Sequence, residues 1–142
     1  MAEISELLND EQKMVFIQAL AYTLSLAKNC GTPAKNDYLR NQAREVGFST
    51  TVIRKLKTDY KETDLIKDLN TIKEIRIKRY ILREMILLAL ADHELTDTEI
   101  GIIYKIGTKI GIKNEKISDF FMWAAKGLEW QIEGTRLIEE DL

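Results

Sequence analysis

The chain has 142 residues, with 21 lysines and arginines against 23 acids and a single proline. That length fits one domain able to bury a hydrophobic core without staples, and a formal charge of −2 gives no general attraction to nucleic acid or an anionic membrane. The lone cysteine, Cys30, excludes an internal disulfide and a cysteine-rich zinc site. The first residues, MAEISELLND, lack a basic-then-apolar leader pattern, and the apolar runs fall far short of the roughly 20 residues that span a bilayer. The expectation is a cytoplasmic chain with no transmembrane segment.

Abundant Leu, Ile, Ala, Lys and Glu predict an all-α protein. A first helix runs from Asn9 or Asp10 as cap through EQKMVFIQALAYTLSLAKN, with Met14, Ile17, Ala21, Leu24 and Ala27 on one face. Thr32-Pro33 opens a second helix with a cap residue and a first-turn proline, and Gly47 closes it where a left-handed residue is wanted. Ser49 or Thr50 starts a third helix carrying Val52, Ile53 and Leu56, and a shorter polar piece follows around DLIKDLN. The segment IKEIRIKRYILR begins a helix whose apolar face holds Ile75, Leu82, Ile86 and Ala89. Thr96 caps the next helix, which Gly111 ends, and the aromatic run FFMWAAKGLEW follows.

A shift of 64 positions restores the same punctuation. Thr32 falls on Thr96, Gly47 on Gly111, Leu24-x-Leu26-Ala27 on Leu88-x-Leu90-Ala91, Ile17 on Ile81 and Ile53 on Ile117; Phe16 meets Tyr80 in a matched role. Caps, stops and apolar faces keep one register, which predicts a single domain over 1–142 made of two pseudo-repeated three-helix units, about 10–60 and 72–125, with a C-terminal helix or tail over 126–142.

Leu88-Ala89-Leu90-Ala91-Asp92-His93-Glu94, followed by Thr96, Glu99 and the closing Gly111-Ile112, resembles the signature of the tellurite-resistance TerB-like family: an apolar helix ending in Ala-Asp-Gly-Glu, with a further Glu opening the next helix. The family's internal repeat is similar to the 64-residue one, so the resemblance covers roughly residues 10 to 125. It implies a compact all-helical domain, not an enzyme, found in stress-response or membrane-associated assemblies, with acidic residues holding a divalent cation. The chain departs from that pattern at His93, where the family has glycine, and at Lys28, Cys30 and Lys35, which stand where the second unit has Asp92, Glu94 and Glu99. A cation site shared by both units does not fit those replacements.

Asp92, Glu94, Asp97 and Glu99 form an acidic corner open to two readings. Thr96-Asp97-Thr98-Glu99 has the form of a capping box, and Asp97 suits the positive end of a helix dipole, so neither needs a ligand. Asp92 and Glu94 lie at the end of the preceding helix, where the dipole disfavours negative charge, and a hard cation such as Ca²⁺, Mg²⁺ or Mn²⁺ would offset that. The spacing is not that of an EF-hand loop.

Three further features bear on function. Lys73, Arg76, Arg79 and Arg83 share one helical arc and form an anion-binding candidate for nucleic acid or a membrane surface. Phe120, Trp123 and Ala124 share a face with Ile117 and are expected in the core, whereas Phe121, Met122 and Trp130 form a candidate docking patch for a protein partner or a second copy of the chain. A catalytic pair would have to join His93 to Cys30 or to a hydroxyl, with nothing to orient a third member, and no GxSxG, P-loop or HExxH motif is present, so no enzymatic activity is expected. The sequence thus points to a non-enzymatic TerB-like module that docks on a protein, with the basic stripe as the alternative.

Overall fold

In the computed structural model, residues 4–27, 32–49 and 51–140 are described. A short 3-10 turn, Ile4–Leu7, precedes seven helices: α1 Asp10–Ser25, α2 Pro33–Glu45, α3 Thr51–Arg54, α4 Glu62–Leu69, α5 Ile75–Ala89, α6 Asp97–Lys109 and α7 Asn114–Glu139. The described residues contain no strand, and none of these helices is long and apolar enough to cross a membrane.

The local chemistry that starts and stops these helices is the kind read from the sequence. Asn9 caps α1 in a reciprocal box with Gln12, Thr32 accepts from the Lys35 amide with Pro33 in the first turn, and Thr96 and Glu99 form a complete box at α6. Gly47 and Gly111, just past α2 and α6, have φ of +84° and +93°, a region that side chains strongly disfavour.

The centre of the molecule is the packing of α1 on α5, with α2 and α4 against α1, α6 and α7 against α5, and α2 also reaching α5. Phe16 of α1 and Tyr80 of α5 meet at the crossing, their ring centroids 5.2 Å apart. Gly107 lets α6 close on its neighbours: a Cβ there would lie 2.7 Å from Ile117 Cδ1 and 3.2 Å from Leu82 Cδ2.

Several packing details differ from the sequence expectation. The buried face of α1 is Phe16, Ile17, Ala19, Leu20 and Thr23, while Met14 is exposed. The helix is apolar around most of its circumference, so periodicity does not single out one side. On α5 the buried set widens to include Ile77, Tyr80, Ile81, Glu84, Met85 and Leu88, because four helices surround it. The third helix is only the single turn α3; Thr50, one of its two proposed caps, lies outside the described residues, and the Ser49 hydroxyl instead bonds the Thr51 hydroxyl. The piece expected to begin at 126 is the continuation of α7, which passes through Gly127 without a break.

Candidate functional site

The acidic corner forms where the end of α5 meets the start of α6, and α2 brings a lysine to it. Lys35, the third residue of α2, is 3% exposed and aims its ammonium at the carboxylates. Its Nζ lies 3.1 Å from Glu99 Oε2 and 3.8 Å from Asp92 Oδ2. Glu99, 1% exposed, spends its other oxygen on the cap, accepting from the Thr96 amide at 3.2 Å and the Thr96 hydroxyl at 3.0 Å. Both carboxylate oxygens are therefore matched to donors, the condition under which a buried charge is tolerated. Asp92 Oδ1 accepts from the Glu94 amide at 3.0 Å and turns the chain out of α5.

Of the four carboxylates proposed as cation ligands, then, Asp92 and Glu99 converge, and they converge on Lys35. Glu94 and Asp97 are exposed. Among the described residues no three histidine, cysteine, aspartate or glutamate side chains come together as a metal site. Sequence reasoning noted that Lys35 replaces an acid of the second unit without placing it against that acid; the available signal was the opposite charge of two positions 64 apart.

His93 occupies the left-handed turn after α5 with φ +64°, its amide donating to the Leu90 carbonyl at 2.8 Å. A glycine adopts this conformation without steric penalty. We expect His93→Gly to raise stability by about 1 kcal/mol, or ~3 °C in melting midpoint, read by thermal unfolding; an unchanged midpoint would mean the turn carries no strain. Cys30, a candidate catalytic partner of His93, lies outside the described residues.

The basic stripe is largely engaged within the chain. Lys73 precedes α5 and donates to the Asn70 carbonyl at 3.4 Å, and Arg76 grips Glu74 through Nε and Nη2 at 3.1 and 3.0 Å. Arg83 contacts Glu84 at 3.4 Å and lies over the rings of Tyr80 and Trp123. Arg79 is half-buried, and its Nε is buried without a hydrogen-bond partner.

Glu84 is the buried acid of α5. Burial pushes its carboxyl above the usual range, against the opposing pull of the Arg83 guanidinium and of the hydrogen bond donated by Tyr38. Burial likewise raises the Tyr38 phenol, with the Glu84 charge adding to it. With the folded pKa above the unfolded one, the unfolded chain releases this proton first, so stability falls as pH rises through the unfolded carboxylate pKa of about 4.3 toward the folded value. Glu84→Gln should therefore be more stable than the parent at neutral pH and equal to it below about pH 4, as urea midpoints across that range would report. A constant difference at every pH would contradict this.

On α7 the docking patch is arranged differently from the expectation. Phe121 stacks on Tyr104 at a centroid distance of 5.2 Å and an interplanar angle of 7°, so it belongs to the α6–α7 packing. Trp123, expected in the core, is 52% exposed, beside Met122 at 57% and Trp130 at 76%. The buried stripe of α7 centres on Ile117 and Ala124 with Phe121 on its flank, which turns Trp123 outward. Beyond Leu128 every residue of α7 is exposed, Leu137 and Ile138 by 70% and 85%. A groove of about 860 Å³ runs beside the middle of this helix, lined by Tyr38, Leu87, Leu90, Trp123, Leu128 and Trp130 among others. Sequence reasoning missed Ile132, Leu137 and Ile138; the available signal was that Leu137 and Ile138 lie seven and eight residues, two helical turns, after Trp130, and it counts only once the helix is known to continue.

Comparison with known protein families, with curated proteins and with solved structures finds no match.

Proposed function

We propose that this chain is a non-enzymatic, TerB-like helical interaction module that docks on a protein partner through α7 and the adjoining groove. The observation that carries this reading is the uncovered second half of α7, where Trp130, Leu137 and Ile138 face solvent although large apolar side chains gain most from burial. Phe121, part of the patch expected from the sequence, acts as internal support, and Trp123 takes its place on the exposed face.

Two helical units in a 64-residue register support the TerB-like part of the reading. The bounds of α2, Pro33–Glu45, fall on those of α6, Asp97–Lys109, and the last residue of α1, Ser25, falls on Ala89, the last of α5. Equivalent residues also touch each other: Phe16 meets Tyr80, and Lys35 meets Glu99. Two equivalent positions meet in this way only near an approximate two-fold axis between the units. In this reading the acidic corner lies near that axis and carries its own cation, the Lys35 ammonium, in place of a divalent ion. It acts as a clamp between the units. The stress-response setting follows from the resemblance, and a membrane-associated assembly would be reached through the partner.

The test is photo-crosslinking in cells from positions 131 and 138 on α7, with position 67 on α4 as control. Adducts from α7 in excess of the control are expected. Equal yields from all three positions would overturn the docking reading.

A further inference from the structure

Phe120, Trp123, Gly127, Trp130, Gly134 and Leu137 follow one another along α7 at alternating steps of three and four residues, the spacing of a coiled-coil seam. The seam lies on the flank of the helix next to its buried stripe, and Trp123 and Trp130 line the groove there. Its two glycines have no explanation inside the chain. A Cβ at Gly127 or Gly134 would meet no atom within 4 Å, and both have ordinary helical backbone, so alanine would fit and would favour the helix. Glycine on an exposed helical seam, alternating with tryptophan, is what a close-packed partner helix would require.

We propose that the partner on this surface is a second copy of the chain, its α7 lying antiparallel to the first about a two-fold axis that crosses the helix between Leu128 and Glu129. This rests on the docking reading and names its occupant. In that register Trp123 faces Gly134 of the second copy, Gly127 faces its Trp130, and Phe120 faces its Leu137; the symmetry repeats each contact in reverse. Every large side chain of the two central pairs meets a glycine hole, and the end layers are closed by Phe120 and Leu137. A parallel, in-register pairing would instead set ring on ring and glycine on glycine, leaving voids that close packing disfavours.

Charge agrees with size. Lys126 and Glu133 each immediately precede a seam glycine, and the antiparallel register brings Lys126 of one copy beside Glu133 of the other, twice. Asp119 and Glu140 face each other only at the solvated ends. The register also lays the uncovered half of each α7 beside residues 118–128 of the other, over the groove lined by Tyr38, Leu87 and Leu90. The exposed half and the groove thereby cover each other, as an isologous interface demands. A foreign helix would need no such self-complementarity.

Sedimentation equilibrium on the purified 142-residue chain tests this. The parent should reach twice the mass of one chain as its concentration rises to roughly 100 µM. Gly127→Leu and Gly134→Leu fill the holes and should each convert it to monomer with helical content by circular dichroism undiminished, since neither Cβ meets a neighbour within the chain. Lys126→Glu should weaken association at least ~10-fold, and Lys126→Glu/Glu133→Lys should restore it. A dimer indifferent to both glycine variants would overturn the seam. A monomeric parent whose positions 131 and 138 still crosslink in cells to a chain of different mass would overturn the second copy while leaving the docking reading standing; a monomeric parent with no such adducts would overturn both.

Discussion

Lys35→Ala is expected to destabilise the domain by about 3–5 kcal/mol, because it leaves the buried Glu99 carboxylate, and with it Asp92, without a cation. For a chain of this length that is a fall of roughly 10–15 °C in melting midpoint. Removal of the charge on every side should recover most of the loss: Lys35→Met/Asp92→Asn/Glu99→Gln buries no ion, and glutamine still completes the capping box with Thr96. The same variants separate a built-in ammonium from a divalent-cation site. With Lys35 as the resident charge, millimolar Ca²⁺, Mg²⁺ or Mn²⁺ leaves the parent midpoint where it is in chelator, while Lys35→Ala regains stability with added ion, since an ion at about 100 times its dissociation constant contributes ~2.7 kcal/mol. A parent that is itself stabilised by one of these ions, with the effect abolished in Asp92→Asn/Glu99→Gln, would make the corner a cation site and reject the clamp.

Phe16→Ala carries the other large effect. The ring is fully buried at the crossing of α1 and α5 against Tyr80, so its loss removes both transfer energy and packing, about 3–5 kcal/mol. That is about a third to a half of the whole stability of many domains, which is roughly 5–15 kcal/mol. Urea unfolding should show a much lower midpoint at an unchanged slope. The aromatic pair itself should account for ~0.5–1.5 kcal/mol of the total, measurable as the coupling in a cycle with Tyr80→Leu. A loss below about 1 kcal/mol would mean that the crossing repacks easily and is not the centre of the core.

Local backbone chemistry was legible without the tertiary structure. A side-chain oxygen before a helix, a glutamate or glutamine three residues later and a glycine just past the end satisfy orphaned backbone groups within a few residues of themselves, so Asn9, Thr32, Thr96, Gly47 and Gly111 could be read one at a time. The all-helical class followed from the same local preferences. The match of α2 with α6 at a spacing of 64 residues rests on the same signals, since both helices open at a capping threonine and close before a glycine.

The meaning of charge and of apolar stripes was decided by packing. Lys35 reads as a surface lysine in an otherwise polar helix, and only the approach of α2 to the α5–α6 corner buries it against Glu99. Arg76 and Arg83 read as a free cationic stripe until Glu74, Glu84 and two aromatic rings are found within reach. Phe121 and Trp123 exchange the places expected of them because a helix 26 residues long can turn either flank to its neighbours, and Tyr104 selects Phe121. The sequence by itself determined the helix ends that carry their own caps and stops, at Asn9, Thr32, Thr96, Gly47 and Gly111, since those interactions span a single turn. The tertiary structure decided which side chains are buried, paired or left exposed, since desolvation and charge pairing depend on what other helices bring to the same place.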